Sequence, residues 1–157
     1  MFTALLDTCV LWPSLQRDVL LSLAAEGMYR PAWSSAILAE LEYEEAAKLT
    51  RRGVAPADAD NRAAHLIQQM RQAFDDAEIT GWEGLEGTFG LPDPDDEHVV
   101  ASAVVAGAGA IITLNTKDFP APRPARHRHH RQPNRQTGTS QDRHRAARRT
   151  CPPLRVR

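Results

Sequence analysis

Residues 91–120 read LPDPDDEHVVASAVVAGAGAIITLNTKDFP, and this stretch decides the fold. Asp93 followed by Pro94 suits the N-cap and first turn of a helix, because the aspartate accepts from free amides and proline has no amide to leave unpaired. That helix is expected to run to about Ala106, with Gly107 or Gly109 ending it. Residues 110–114, AIITL, form a short apolar run of the kind found in strands buried on both faces. Acids open the helix, and Asn115 and Asp118 follow the strand. The combination predicts an α/β unit with polar groups at the carboxyl end of a parallel sheet.

Working outward, residues 2–6 form a second short apolar run, and Asp7 follows it at once. Ser14 is a candidate cap for a helix over 15–25 that turns Val19, Leu20 and Leu23 inward and stops at Gly27. A strand is expected over 28–33. Ser34 then opens a helix in which Ile37, Leu38 and Leu41 share a face. Ala63, Leu66, Ile67, Met70 and Phe74 recur at helical spacing, and residues 77–82 suit another strand. Gly81, Gly84, Gly87 and Gly90 make the next stretch a loop. Strands alternating with helices predict a three-layer α/β/α domain around a mainly parallel sheet over residues 1–120.

Charge divides the chain at the same place. Residues 1–120 carry 8 Lys and Arg against 19 Asp and Glu, whereas 121–157 carry 11 Arg against Asp142 alone. The net charge of −1 averages an acidic domain and a basic tail. With five prolines and only Leu154 and Val156 as bulky aliphatics, the tail lacks the means to bury a core and is expected to be disordered. Two cysteines, Cys9 and Cys151, make neither a disulfide framework nor a zinc spacing. No apolar run is long enough to span a membrane. No basic residue precedes the first apolar run, so a signal peptide is not expected and a cytoplasmic location is.

Asp7, Glu40, Asp96 and Asp118 fall where the predicted fold gathers side chains at one sheet edge. Carboxylates brought together raise each other's pKa values, and a hard divalent cation removes that conflict. Mg²⁺ or Mn²⁺ held there suits hydrolysis of a phosphodiester. Each acid also has a structural reading. Asp93 and Asp95 serve a helix start by capping and by complementing its dipole. Glu40, beside Glu42, Glu44 and Glu45, reads equally as one charge on a solvated face. Asp7 is harder to explain that way, since an aspartate at the end of a buried strand needs a partner.

The ordered motifs resemble those of PIN-domain nucleases. LLDTCVL is similar to the motif that ends strand one on an aspartate, and SSAILAEL to the one that sets a serine six residues ahead of a glutamate. Residues 91–120 resemble the last two motifs together and are closest to the branch carrying DPDDxHV. The resemblance implies that Asp7, Glu40, Asp96 and Asp118 bind metal, with Asn115 as a competing or additional ligand. It implies that Thr8 and Thr113 orient carboxylates. It further implies a VapC-like ribonuclease toxin that cuts RNA to leave a 5′-phosphate and is inhibited by a small antitoxin protein. The family continues past its DFP with another strand and helix. Here APRPARHRHHRQPNRQ follows instead, as from a shifted reading frame or an unrelated extension.

His98 is read as a partly exposed polar residue with a possible role beside a phosphate, and Cys9 as a buried, inert thiol. Trp12, Trp33 and Trp82 are read as packing residues before base-stacking ones. The rival function is a catalytically impaired remnant that binds nucleic acid or protein. A metal-dependent phosphatase fits poorly, because Asp7-Thr8-Cys9 lacks the second nearby aspartate. A homodimer is left open.

Overall fold

Four short strands pair in parallel in the order β3-β2-β1-β4, in a computed structural model that describes residues 1–117 and 119. They are β1 (Thr3–Leu6), β2 (Arg30–Ser34), β3 (Glu78–Ile79) and β4 (Ala110–Ile112). Helices α1 (Thr8–Leu11) and α2 (Ser14–Ala25) connect β1 to β2. Helices α3 (Ser35–Arg51) and α4 (Pro56–Ala73) connect β2 to β3, and α5 (Glu97–Val105) leads into β4. Right-handed crossovers, the rule for parallel strands, put the first two connections on one face and α5 on the other. In keeping with this, α5 packs on β1, β2 and β4 while α3 packs on α4. The domain is the helix-flanked parallel sheet expected from the alternation of elements.

Central β1 is buried on both sides, with Ala4, Leu5 and Leu6 at 1 % exposure or less. Around it Trp33, Ile37, Leu38, Leu41, Ile67, Met70 and Val99 close the core. Phe74 meets Trp33 edge to face at 6.0 Å. Trp33 and Trp82 are buried, so both pack rather than wait for a base. Helix α3 starts where sequence placed it: the Ser34 hydroxyl accepts from the Ile37 amide at 3.2 Å.

Several local expectations are corrected. Val19 and Leu23 point outward at 53 % and 41 % exposure, whereas Leu20 packs on the core as expected, with Leu21, beside buried Arg17 and Ala24. Arg17 is drawn inward because its guanidinium donates to the Leu11 carbonyl at 3.2 Å and faces Glu45. Lys48 also pairs with Glu45, so three charges share one buried network. Ser14 is the first helical residue rather than the cap, and its hydroxyl accepts from Lys48. Residues 8–11, to which the sequence reading gave no element, coil into α1. Asp93 caps a 3-10 turn, Pro94–Asp96, so α5 itself begins at Glu97. Strands β3 and β4 are shorter than expected, since each lies at a sheet edge with one neighbour. Asp118 and the Arg/Pro/His-rich segment 121–157 lie outside the described residues.

Candidate active site

Strand order changes direction between β1 and β4, and in open parallel sheets ligands bind at the carboxyl side of such a switch point. Asp7 stands there. Its amide donates to the Ile112 carbonyl at 3.1 Å, which extends the β1–β4 ladder by one residue. Its carbonyl then accepts from the Val10 and Leu11 amides and starts α1. The aspartate is thus pinned by backbone on both sides, and it is 7 % exposed at the turn from strand to helix.

Two hydrogen-bond chains run from this point. Along one, Thr113 Oγ1 donates to Asp7 Oδ2 at 2.7 Å and accepts from the Asn115 amide at 2.9 Å. Asn115 Nδ2 in turn donates to Asp96 Oδ2 at 2.9 Å. The other begins beside Asp7, where Thr8 Oγ1 donates to Glu40 Oε2 at 2.7 Å. The second oxygen of Glu40 meets His98 Nε2 at 3.2 Å. Thr113 thus bonds the Asp7 carboxylate and Thr8 that of Glu40. The structure brings Asp7, Thr8, Glu40, Asp96, His98, Thr113 and Asn115 to one end of the sheet. Asp93 stays apart, its carboxylate accepting from the Asp95 amide at 3.0 Å as a cap does.

His98 departs from expectation. It is 6 % exposed, not partly solvated, because α5 presses its first turn against the sheet end. Burial pulls the imidazole pKa down, but the hydrogen bond and charge of Glu40, with Asp7 and Glu86 behind it, prevail and raise it above 6.5. Its Nδ1 and the indole Nε1 of Trp82 are buried without hydrogen-bond partners among the described residues, and the two rings lie 6.1 Å apart. Cys9 is buried as expected. Loss of water and the charge of Asp7 push its thiol up to about 11. The sulfur still serves the site, donating to Asp7 Oδ2 at 3.0 Å and accepting from the Leu114 amide at 3.1 Å.

Sequence reading passed over Glu97. Its carboxylate is buried and accepts from the amides of Gly90 at 2.8 Å, Leu91 at 3.3 Å and Phe89 at 3.4 Å. Lying between Asp96 and His98, it looked like one more helix-start acid. Only the return of the glycine-rich loop gives it partners.

Among the described residues, no three acidic, histidine or cysteine side chains converge closely enough to hold a metal ion by themselves. The donors are nonetheless of the right kind. Asp7, Glu40 and Asp96 offer carboxylate oxygens and Asn115 a carboxamide, which are the hard ligands that Mg²⁺ and Mn²⁺ take.

Fold and site define a doubly wound parallel domain with acids linked by hydrogen bonds at its switch point. Residues 3–117 match the PIN domain family, and the chain belongs to it. PIN domains are generally nucleases, and they usually use divalent metals. No curated protein and no solved structure matches the chain. Among the described residues, no helix is long and apolar enough to cross a membrane.

Proposed function

We propose that this chain is a Mg²⁺- or Mn²⁺-dependent endoribonuclease, acting in the cytoplasm as the toxin of a VapC-like toxin–antitoxin pair. The observation that carries the nuclease reading is the linkage of Asp7, Glu40 and Asp96 through Thr8, Thr113 and Asn115 at one sheet end. Three carboxylates linked through neutral donors at one sheet end are the kind of oxygen ligand that a divalent cation would draw together. A bound ion would lower the pKa of a water and stabilise charge on the phosphoryl oxygens. The chain's own part is to hold that ion through the acids and to keep their oxygens aimed by neutral hydroxyl and amide donors. Glu40 also keeps His98 inward, where its imidazole stands beside the acids. The choice of RNA, and of a small protein inhibitor, rests on the resemblance of the four motifs. An arginine of that inhibitor would suit the acids at this sheet end, since it pairs with carboxylates bidentately.

The experiment is cleavage of RNA by the purified protein with Mg²⁺ or Mn²⁺, against a chelator control and Asp7→Asn. Metal-dependent cleavage lost in the variant is expected. Equal cleavage by both proteins overturns the role proposed for Asp7, and no cleavage by either with any divalent ion overturns the nuclease reading and favours a binding remnant. For the toxin role, expression should arrest growth, and co-expression of a small neighbouring gene should relieve the arrest. Harmless expression of an active enzyme would overturn that role.

A further inference from the structure

We propose that Glu97 is a positioning residue, whose carboxylate clamps the glycine-rich loop onto the first turn of α5 and so sets Trp82 against His98. Backbone amides seldom converge on one buried side chain unless the chain is bent to allow it. Gly90 provides the bend, with φ of +65°, a conformation that other residues rarely adopt. Its amide then turns inward to the shortest of the three bonds, at 2.8 Å. A carboxylate that accepts several amides is held by charge-assisted bonds, roughly twice as strong as neutral ones.

The consequence follows from chain geometry. Glu97 is the first residue of α5, between Asp96 and His98. The loop it grips begins at Trp82, whose indole is 2 % exposed and packs on the His98 ring. Glu40 holds that imidazole from the other side at Nε2. Releasing the loop therefore removes one wall of the His98 site and frees the turn that carries Asp96. The effect on the metal rests on the proposed reading of the acid cluster, whereas the clamp itself does not.

Amide hydrogen exchange and the imidazole NMR signals of His98 test this in the full chain, with Mn²⁺ titrated in separate samples. In Glu97→Ala, the amides of Phe89, Gly90 and Leu91 should exchange about tenfold to hundredfold faster, the factor set by losing charge-assisted bonds. The amides of Leu5 and Leu6 should be unaffected, and the His98 signals should move. Glu97→Gln keeps one acceptor oxygen, so protection at Gly90 and Leu91 should largely return while that at Phe89 does not. Mn²⁺ affinity should fall by about 10- to 100-fold in the alanine variant, as for other partners of metal ligands. Unchanged loop exchange, or released loop amides with unmoved His98 signals, overturns the proposal. So does a loss of protection that spreads equally to β1, which marks a general packing role. Should the wild type bind no Mn²⁺ while loop and imidazole respond as stated, the clamp stands and the metal reading falls.

Discussion

Thr113 and Asp7 are 106 positions apart in sequence, yet the threonine hydroxyl lies 2.7 Å from the aspartate Oδ2. The bond crosses from the end of β4 to the end of β1, and the same hydroxyl accepts from the Asn115 amide. Thr113→Val keeps the shape and removes both functions. The proposed metal affinity should then fall by about 10- to 100-fold, as for other groups that orient ligands. Thr113→Ser should recover most of it. Calorimetric titration with Mn²⁺ measures this, and a valine variant that binds as tightly as the wild type would show that the hydroxyl orients nothing.

Asp96→Asn should abolish cleavage and leave the circular dichroism spectrum and melting curve near those of the wild type. The change removes charge from the proposed ligand but keeps an oxygen facing Asn115. Asp93→Asn should be nearly silent in both assays, because asparagine caps about as well as aspartate. Equal losses of activity in the two variants would mean that the ligand within residues 93–96 has been misassigned.

Cys9 should resist thiol reagents at pH 8 in the folded protein and react at once in denaturant, measured in a Cys151→Ser background. Its pKa rises from 9.0 to about 11, first through burial and then through Asp7, so the thiolate is scarce at that pH. The same shift has a sign for stability. Between those two values the folded state keeps a proton that the unfolded chain has lost, so this contribution fades as pH rises through the window. Labelling at pH 8 as fast as in denaturant would refute the buried assignment.

The two faces of α2 give a stability test by urea denaturation. Val19→Ser, at a position 53 % exposed, should change stability by no more than about 0.5 kcal/mol. Arg17→Ala should cost about 2–3 kcal/mol, below the usual loss for a broken buried pair because Lys48 still faces Glu45. Leu41→Ala, in the fully buried seam of α3, should cost about 2–5 kcal/mol. A larger loss at Val19 than at Arg17 would restore the face that hydrophobic spacing suggests.

The sequence by itself determined the parts whose causes are local. Apolar runs at 2–6 and 110–114 announced strands, Ser34 announced the start of α3, and Asp7 and Asn115 lay just past strand ends. Because parallel sheets collect such positions at one edge, the nearness of Asp7 to Thr113 and Asn115 was legible before any coordinate. What tertiary structure decided depends on partners distant in sequence. Arg17 is buried against Leu11 and Glu45, 6 and 28 residues away, while Val19 stays exposed. His98, buried where α5 meets the sheet end, finds its partner in Glu40, a pairing that spacing along one helix does not encode. Glu97 looks like any acid at a helix start until Gly90 bends the loop back onto it. Charge and hydrogen-bond partners such as these are fixed by where chains meet, and the meeting is a property of the folded core rather than of any single stretch.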